Sequence, residues 1–443
     1  MRASGLILAA PASGSGKTLI TAGLARHLRR SGTRVAVAKA GPDYIDPTYL
    51  TLASGESCPN LDVWAMRPPL LAAIVAGLEN SADLVLCEGV MGLFDGTGAD
   101  GETGSTAELA RITGWPIVLV IDARGQGASI AAVLRGFIGH RSDITIAGVI
   151  FNRVASERHR ELITAAVTRN LPDLAILGGL SADPALAFPW RHLGLLPASE
   201  VGAAEAIIED AADQIGARID VGRLRRLARR SAIVSGGAVA GIPPLGQRIA
   251  VARDEAFCFA YPTVLDGWRR AGADLRFFSP LADQPPDPAA TAIYLPGGYP
   301  ELWAARLGAA DRFLNGLRRA ATQKTVIYGE CGGYMVLGEA ISDAARRRHR
   351  MAGLLPLETS FSARRLHLGY RSAMLLDNTP LGRAGSRFRG HEFHYATIVG
   401  EGAGEPLWSV SDAAGAALGH CGLRSGSVAG SFIHLIDVHD GPG

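Results

Sequence analysis

The sequence predicts two α/β domains, and three observations support this prediction. The chain has 443 residues, whereas a single hydrophobic core stops growing at roughly 250 to 300 residues. Apolar residues make up 48% of the composition and charged residues 19%, a balance typical of globular proteins. In both halves, short apolar runs alternate with stretches of helical periodicity, which is the pattern of strands joined by helices.

The first half contains five apolar runs that we predict to be strands of a parallel sheet with helices on both faces. The runs are rich in Val, Ile and Leu, as expected of strands buried on both sides. They span residues 6–10, 34–38, 84–88, 116–121 and 146–151. After Asn152 this rhythm weakens, and an Ala- and Arg-rich helical stretch is expected to reach about Ser231.

A Gly- and Pro-rich connector follows at residues 235–244, and a second αβ series begins after it. We predict its strands from the apolar runs at 248–252, 292–295, 325–328 and 431–434. The predicted organisation is therefore a first domain at 1–195, a helical segment and linker at 196–247, and a second domain at 248–443.

Net charge and cysteine usage exclude several classes of protein. The formal net charge is +2, from 44 basic and 42 acidic residues, so no overall field attracts nucleic acid or an anionic membrane. The basic runs at 223–230 and 346–348 lack interleaved aromatic residues, and we interpret them as solvated surface. Five scattered cysteines without a Cys-x-x-Cys pair argue against a disulfide framework and a zinc site.

The N-terminal apolar run at residues 5–10 is too short for the core of a signal peptide, and we interpret it as a strand. No apolar run reaches the roughly 20 residues that a membrane-spanning helix requires. We therefore expect a soluble protein of the cytoplasm, which is a reducing compartment, with small molecules as its partners.

A phosphate-binding loop is predicted between the first strand and the helical pattern at 19–28. The sequence reads Ala-Pro-Ala-Ser-Gly-Ser-Gly-Lys-Thr at residues 10–18. In such a loop, backbone N–H groups and a helix N-terminus face the phosphates, a lysine reaches the outer ones and a hydroxyl ligates Mg²⁺. Pro11 replaces the usual first glycine, so the loop entrance departs from the general pattern. The predicted ATP-binding residues are Ser13, Gly14, Ser15, Gly16, Lys17 and Thr18.

Carboxylates at strand ends are candidate ligands for Mg²⁺, which needs only one or two protein carboxylates beside phosphate oxygens. Glu88 ends one strand, and Asp43 and Asp46 follow another. Because the carboxyl edge of a parallel sheet adjoins the ligand crevice, we predict a site role for all three. For Asp122, a site role and a capping role are equally supported. The amide of Asn152 is placed either to read an adenine edge or to cap a turn.

A glycine-rich segment at 89–96 is followed by Gly-Ser-Thr-Ala-Glu at 104–108, in which Ser105 and Glu108 have the spacing of a capping box. A helix N-terminus favours an anion. Ser105 is therefore a candidate for holding a substrate carboxylate or an acyl phosphate, although capping alone explains the pattern as well.

Cys331 is the candidate nucleophile, in the sequence Tyr-Gly-Glu-Cys-Gly-Gly-Tyr-Met at 328–335. Small flanking residues permit the strained turn that exposes a nucleophile at a helix N-terminus, where a thiolate is stabilised. A second glycine turn, containing Gly297 and Gly298, offers backbone N–H groups for an oxyanion hole together with Gly332. His434, in a late strand, is the candidate base.

Taken together, these motifs resemble those of a known family. The phosphate loop occurs with Gly-Pro-Asp-Tyr-Ile-Asp-Pro at 41–47, Glu-Gly-Val-Met-Gly-Leu-Phe-Asp-Gly at 88–96, Gly-Glu-Cys-Gly-Gly at 329–333 and His-Glu-Phe-His-Tyr at 391–395. Over nearly the whole chain, this combination is similar to the cobyrinic acid or hydrogenobyrinic acid a,c-diamide synthases of cobalamin biosynthesis. The resemblance implies a dethiobiotin-synthetase-like ATP domain followed by a class I, triad-type glutamine amidotransferase domain. It also implies two rounds in which a corrin acetate becomes an acyl phosphate and then an amide.

The resemblance also implies roles for individual residues: phosphate stabilisation for Lys17, metal binding for Thr18 and Glu88, metal binding or acyl transfer for Asp43 and Asp46, thioester formation for Cys331, and proton transfer for His434. Many amidotransferases carry Glu two residues after the histidine. Here that position is Ile436, and Asp437 comes one residue later, so the third member of the triad stays open.

Two further sets of residues lie within the motifs. Tyr44 and Ile45 stand between the candidate acids, and we expect them to shape the corrin pocket and to influence which acetate reacts. His391 and His394 resemble metal ligands, but with no further ligand evident nearby we expect a structural or interface role.

Several alternatives remain open from the sequence. Cobyric acid synthases share both domain types but amidate other side chains; the Gly-Lys-Thr ending and the segment 91–96 favour the a,c-diamide enzyme. A nucleotide switch of the partitioning type has a similar deviant phosphate loop but needs no amidotransferase half. Heavy use of Ala and Arg with few Lys favours a GC-rich genome, and with it the metal-free corrin. A homodimer also remains open.

Overall fold

Two units divide the chain in the computed structural model, which describes residues 2–439 except Ala99, His192, Leu193, Leu196, Ser235 and Ala238. Residues 1–64 and 68–239 group in the first unit, and residues 65–67 and 240–443 in the second. The observed division differs from the predicted one in the middle, because most of the segment 196–247 groups with the first unit. Leu196, at the predicted boundary, and Ser235, in the predicted connector, lie outside the described residues.

The first unit contains nine strands and eight α-helices within its described residues: β1 (Ser4–Ala9), α1 (Lys17–Arg30), β2 (Val35–Ala40), α2 (Asp46–Ser54), β3 (Asn60–Leu61), α3 (Pro68–Ser81), β4 (Leu84–Glu88), α4 (Thr106–Thr113), β5 (Ile117–Asp122), α5 (Ile130–His140), β6 (Ile146–Val154), α6 (Glu157–Asn170), β7 (Ala175–Ser181), β8 (Trp190–Arg191), β9 (Gly194–Leu195), α7 (Ala204–Arg218) and α8 (Val221–Leu227). Seven of the strands form a sheet in the order β3-β2-β4-β1-β5-β6-β7. All of its neighbours are parallel. The predicted parallel α/β architecture is confirmed.

The five predicted strands of the first half correspond to β1, β2, β4, β5 and β6. Of these, β1, β2 and β4 are buried along almost their whole length, as their continuous apolar sequences require. The prediction missed β3 and β7. The first has only two residues, and the second is interrupted by two glycines, so neither carries a clear apolar run.

Packing of α7 against α1 explains why the middle segment groups with the first unit. The guanidinium of Arg26, on α1, pairs with Glu205 and Glu209 of α7. It also donates to the carbonyl oxygens of Leu52 and Ala53 at the end of α2, at 2.8 and 3.1 Å. This buried arginine of α1 binds both α2 and α7, and so it holds α7 against the first unit.

The second unit has fourteen strands and four α-helices in its described part: β10 (Arg248–Ala252), α9 (Pro262–Arg270), β11 (Asp274–Phe278), β12 (Ala292–Leu295), α10 (Ala304–Gly308), α11 (Asp311–Thr322), β13 (Val326–Glu330), α12 (Gly332–Leu337), β14 (Ala340–Ser342), β15 (Arg348–Arg350), β16 (Leu357–Ser360), β17 (His367–Leu375), β18 (Arg387–His394), β19 (Thr397–Glu401), β20 (Glu405–Ser411), β21 (Ala417–Ser425), β22 (Val428–Ser431) and β23 (Ile433–Val438). Ten strands form a mixed sheet in the order β11-β10-β12-β13-β22-β21-β20-β17-β18-β23, and β15-β14-β16-β19 form a smaller one.

Only half of the large sheet follows the predicted αβ series. The strands from β11 to β22 are parallel, whereas those from β22 to β23 are antiparallel. Alternating residues of β12 enter two different core clusters, Ile293 with Leu295 on one face and Ala292 with Tyr294 on the other. Both faces of β12 are therefore buried, whereas the edge strand β11 is largely exposed.

The register between β13 and β22 places two distant segments side by side. Glu330 pairs with Ser431, and the amide of Cys331 donates to the carbonyl oxygen of Ser431 at 2.8 Å. Phe432 alone separates β22 from β23, so His434 follows within three residues. The strand order therefore places His434, the predicted base, near Cys331, the predicted nucleophile. In the described part of the chain, no helix has the length and apolar character needed to cross a membrane.

Candidate functional site

The phosphate loop joins β1 to α1 as predicted, and its conformation depends on glycine. Gly16 precedes the helix in the left-handed region, with φ 92°. A side-chain carbon added at Gly16 would lie 2.1 Å from Nδ2 of Asn152, so no larger residue fits without displacing that side chain. The hydroxyl of Ser15 donates to the carbonyl oxygen of Ala12 at 2.9 Å, which closes the turn.

Lys17 and Thr18 open α1 and point toward the end of β4. The Lys17 ammonium donates to the carbonyl oxygen of Met91 at 2.6 Å. Burial, together with the neighbouring Lys39, lowers the pKa of Lys17 to about 8. The hydroxyl of Thr18 donates to Oε1 of Glu88 at 2.8 Å. The loop lysine, the loop hydroxyl and the strand-end carboxylate are thus brought together as predicted.

Lys39 is a site residue to which the sequence reasoning gave no role. It is 1% exposed, and its ammonium donates to Oδ2 of Asp46 at 2.5 Å, to Oε1 of Glu88 at 3.0 Å and to the carbonyl oxygen of Gly89 at 3.1 Å. Burial disfavours its charge, but Asp46 and Glu88 outweigh burial and hold the pKa of Lys39 above its ordinary value. The sequence could have indicated this role, because a lysine in an otherwise apolar strand is buried and a buried lysine needs an anionic partner.

The three predicted acids differ in what they do. Asp43 accepts from the amides of Ile45 and Asp46 at the start of α2, at 2.7 and 3.1 Å. Burial, and then Asp46, raise the pKa of Asp43 to about 6. Burial opposes the charge of Asp46 as well, but Lys39 outweighs it and lowers the pKa. Burial raises the pKa of Glu88 to about 7, with Lys39 acting in the opposite direction.

The donor set at the end of β4 fits Mg²⁺. Glu88 Oε2 is buried and has no hydrogen-bond partner among the described residues. A buried, unpartnered carboxylate oxygen beside the hydroxyl of Thr18 is a combination that a hard cation completes. Asp46 adds a further carboxylate to the same cluster through Lys39.

A cavity of about 540 Å³ collects these groups. Its lining includes Ile45, the last two residues of the unpredicted strand β7 and most of the residues that follow as far as Phe188. Tyr44 lies next to this lining and is half-buried. A larger open groove of about 750 Å³ lies against α6 and β7, but it holds none of the predicted site residues.

Ser105 lies outside the lining of this cavity. It is 1% exposed and caps α4, accepting from the amide of Glu108 at 3.2 Å. The Glu108 carboxylate in turn accepts from the amide of Gly104 at 2.6 Å. The capping explanation, one of the two given by the sequence, therefore accounts for the contacts of this residue.

Asn152 and Asp122 support the phosphate loop from β6 and β5. The Asn152 amide donates to the carbonyl oxygen of Ser15 at 2.9 Å, and its oxygen accepts from the amide of Arg153. Arg153 donates to the carbonyl oxygen of Gly14 at 2.8 Å and to Asp122 at 2.6 Å. These bonds use one N–H and one lone pair of the Asn152 amide and fix it against the phosphate loop, which accounts for its position without a base contact.

Cys331 occupies a strained turn between β13 and α12. Its φ is 47° and its ψ −105°, a conformation that costs a residue with a side chain on the order of 1–3 kcal/mol. The cysteine is 2% exposed, and the amide of Gly332 donates to its sulfur. Burial, and then Glu301, raise the pKa of the thiol. The turn has the form predicted for a nucleophile held at a helix N-terminus.

Gly297 brings the second glycine turn against both catalytic candidates. A side-chain carbon added at Gly297 would lie 2.3 Å from Cε1 of His434 and 3.2 Å from Cβ of Cys331. A carbon added at Gly332 would lie 3.0 Å from the amide nitrogen of Gly298. The nucleophile, the base and the predicted oxyanion residues therefore surround one small space.

His434 is neutral in this buried environment. Burial, and then His391 and His394, lower its pKa to about 3. The neutral ring can take a proton, as a base must, but the imidazolium that results needs compensation from a nearby anion.

Asp437, the first carboxylate after His434 in the chain, is held by Arg67. The Arg67 guanidinium donates to both of its oxygens at 3.0 and 3.1 Å, and the Arg67 amide donates to one of them at 2.9 Å. Ile436, at the position where many amidotransferases carry Glu, is buried and apolar. Neither residue has contacts that suit it to orient the histidine.

A cluster of His367, Glu392 and His394 corrects the expectation that no further ligand lies near His394. The rings of His367 and His394 stack with centroids 4.7 Å apart and an interplanar angle of 5°. A histidine binds a metal in the plane of its ring, and two stacked rings lie in separate planes, so they do not direct their nitrogens at one common point. Arg371 also pairs with Glu392 at 2.7 Å. The cluster therefore has the form of a structural network around Glu392, which accepts from Arg371 and contacts Nε2 of His394 at 2.9 Å.

Comparisons with known proteins agree with the two halves of the site. A family model described as a CobQ/CobB/MinD/ParA nucleotide binding domain matches residues 6–193, and one described as a CobB/CobQ-like glutamine amidotransferase domain matches residues 248–440. A partitioning-type switch needs only the first of these.

Three relatives extend over the whole chain, and each is named hydrogenobyrinate a,c-diamide synthase. The protein of Brucella abortus biovar 1 is 52% identical over 435 residues, covering 98% of both chains. That of Rhizobium meliloti is 50% identical over 441 residues, covering 99% of this chain and 100% of the relative. That of Rhodobacter capsulatus is 52% identical over 434 residues, covering 98% of both. Given this identity over almost its full length, the chain belongs to the family of hydrogenobyrinate a,c-diamide synthases.

Proposed function

We propose that this chain hydrolyses glutamine at Cys331 and uses the ammonia, with ATP, to convert the a and c acetates of hydrogenobyrinic acid to amides. The proposal rests above all on the strained cysteine turn beside His434, in a chain that also carries a phosphate loop. The printed names of the full-length relatives point to the same reaction and to the metal-free corrin.

In the second unit, His434 takes the proton of the Cys331 thiol, and the sulfur attacks the side-chain amide of glutamine. The backbone N–H groups of Gly298 and Gly332 stabilise the oxyanion that forms. His434 returns this proton to the departing nitrogen, so ammonia leaves and a thioester remains. Water then hydrolyses the thioester, which releases glutamate and restores the thiol. Local release matters because free ammonia is largely protonated at neutral pH.

In the first unit, the loop amides and Lys17 hold the phosphates of ATP, and Thr18 and Glu88 would hold Mg²⁺. When bound, Mg²⁺ neutralises phosphate charge as the terminal phosphoryl group moves. Lys39 holds Asp46 and Glu88 in place and favours their ionised forms. A carboxylate becomes an acylating agent only when its oxygen is turned into a phosphate leaving group, so transfer to the corrin acetate comes before amide formation.

Mass spectrometry of reaction products tests the proposal. The purified protein is incubated with ATP, Mg²⁺ and glutamine, with metal-free hydrogenobyrinic acid and cobalt-bearing cobyrinic acid in parallel. We expect a gain of two amides, faster on the metal-free corrin. Faster amidation of the cobalt corrin would contradict the assigned substrate. Amides on other side chains would indicate a cobyric acid synthase, and no amidation of either corrin would refute the corrin assignment.

We further propose that Tyr44 and Ile45 form part of the corrin pocket. Ile45 lines the cavity beside Asp43 and Asp46, and Tyr44 is its half-buried neighbour. Tyr44→Ala should change the ratio of monoamide to diamide without changing glutaminase activity. An unchanged ratio and rate would remove Tyr44 from the pocket.

A further inference from the structure

The catalytic histidine needs an orienting group that the residues following it in the chain do not supply. His434 must present one ring nitrogen to Cys331 and keep the other fixed, a task usually performed by a carboxylate. Ile436 cannot perform it, and the carboxylate of Asp437 is bound on both oxygens by Arg67. A carboxylate from elsewhere in the chain is therefore the candidate for this task.

Glu330 is a buried carboxylate beside the histidine. It is 4% exposed, and its Oε2 lies 4.0 Å from Nδ1 of His434. The same oxygen accepts from the hydroxyl of Tyr294 at 2.7 Å, and Oε1 accepts from the amide of Leu435 at 3.2 Å. Leu435 directly follows His434, so Glu330 is tied to the strand that carries the base. Both of these groups donate to the carboxylate, which suits its ionised form.

We propose that Glu330 is the positioning residue of the glutaminase site, orienting His434 through Nδ1 and stabilising the imidazolium. The inference rests on the proposed function, because it concerns the base of that reaction. In the step concerned, the S–H bond of Cys331 breaks, its electron pair stays on sulfur, and the proton forms a new bond to Nε2 of His434. Glu330 neither gives nor takes a proton in this step.

The charges around His434 explain why such an anion is needed. His391 and His394 both disfavour protonation of the ring, and Glu392 favours it. Burial raises the pKa of Glu330 to about 7, while Tyr294 and the Leu435 amide act to lower it. The distance of 4.0 Å exceeds that of a hydrogen bond. A movement of roughly 1 Å as the imidazolium forms would bring Oε2 within hydrogen-bond distance of Nδ1.

Glu330 also has a geometric advantage over a residue on a loop. It precedes Cys331 in the chain, and its backbone pairs with Ser431 of β22. Nucleophile, base and positioning carboxylate are therefore all attached to the β13–β22–β23 connection. A small displacement of these strands moves all three side chains together, so the distances between them are preserved.

Steady-state glutaminase kinetics of Glu330→Gln across a range of pH test the proposal. We expect kcat to fall about 100-fold, with KM for glutamine within about 2-fold, because substrate contacts remain. The acid limb of kcat/KM should move to lower pH, since loss of a neighbouring anion lowers the pKa of the base. Loss of stability alone would not move this limb. Glu330→Asp, which keeps the charge but has a shorter reach, should be intermediate.

Asp437→Asn is the matched control, because it changes another buried carboxylate close to His434. It should keep kcat within about 2-fold. Wild-type rates and an unmoved acid limb in Glu330→Gln would overturn the inference, as would a 100-fold loss in Asp437→Asn instead. An inactive wild-type protein would refute the proposed function rather than this inference.

Tyr294→Phe tests the positioning role of Glu330 if Glu330→Gln fails to fold. It removes the hydroxyl that holds Oε2 but leaves the carboxylate and the packing of the ring. We expect a fall of about 3-fold in kcat with a displaced acid limb. No change in either quantity would overturn the proposal.

Discussion

The phosphate-loop site of the first unit and the cysteine site of the second solve different physical problems. The first lines a cavity of about 540 Å³ with Lys17, Lys39, Asp43, Asp46 and Glu88, so charged groups meet charged ligands there. The second encloses groups that are almost fully buried and, in the case of His434, neutral.

Backbone strain separates the two sites as well. In the phosphate loop, the positive φ angles fall on Gly14 and Gly16, which adopt them without steric cost. In the cysteine turn, the positive φ falls on Cys331 itself. A phosphate-binding loop therefore needs no backbone strain. The cysteine turn is strained, and the surrounding fold must hold the nucleophile in that conformation.

Replacement of the nucleophile should give the largest effect and separates the two sites most sharply. Cys331→Ser should lower glutamine-dependent amidation by at least about 10³-fold, because the thiolate chemistry is lost. Amidation with added ammonium chloride should persist, since it needs only the first unit. Product analysis with each nitrogen donor measures both. Cys258→Ser is the control, and equal loss with both donors would contradict independent roles.

Removal of the buried cation should disrupt the first site alone. Lys39→Met leaves Asp46 and Glu88 without their shared partner, and breaking such a buried pair costs about 3–5 kcal/mol. We expect a lower melting temperature by calorimetry and loss of amidation with either nitrogen donor, while glutaminase activity remains. Lys324→Met, at an exposed lysine, is the control. A variant as stable as the wild type would show that Lys39 does not stabilise this cluster.

Acid should weaken the second unit through its buried histidines. Burial, and then Arg371, lower the pKa of His391 to about 4, against about 6.5 in an unfolded chain. Between these values the unfolded chain binds the proton and the folded one does not, so stability falls as pH drops below about 6.5. From pH 7.5 to pH 5 the cost attributable to His391 is about 2 kcal/mol.

Urea unfolding of His391→Asn at the two pH values tests this linkage. The variant should lose about 2 kcal/mol less than the wild type on acidification. His420→Asn, at an exposed histidine, should behave as the wild type. An acid loss in His391→Asn equal to that of the wild type would exclude His391 as its source.

The smallest expected effect concerns Ser105. Ser105→Ala removes the cap of α4 and should cost about 1 kcal/mol, seen as a modest fall in melting temperature. KM for the corrin should stay unchanged, because Ser105 lies outside the cavity lining. A several-fold rise in KM would instead support a role in holding the substrate.

Sequence patterns predicted the elements that are continuous in the chain. The loop Ser-Gly-Ser-Gly-Lys-Thr, the strand end at Glu88 and the glycine-flanked Cys331 each specify a local backbone form, and each occurs as expected. The antiparallel strands β17–β21 escaped prediction, because their exposure pattern alternates irregularly and their pairing is set by distant neighbours.

By itself, the sequence determined the fold class and the phosphate loop, because these depend on residues a few positions apart or on strand-helix rhythm. It also indicated a candidate nucleophile, from the glycines that flank Cys331, and a candidate base, His434. Only the tertiary structure decided that Lys39 joins Asp46 to Glu88, that Arg67 holds Asp437, and that Glu330 lies beside His434. Such contacts join residues up to 370 positions apart. Lys39 reaches Glu88 because β2 pairs with β4 in register, and Glu330 lies beside His434 because the ends of β13, β22 and β23 meet. A one-residue shift of register would separate either pair.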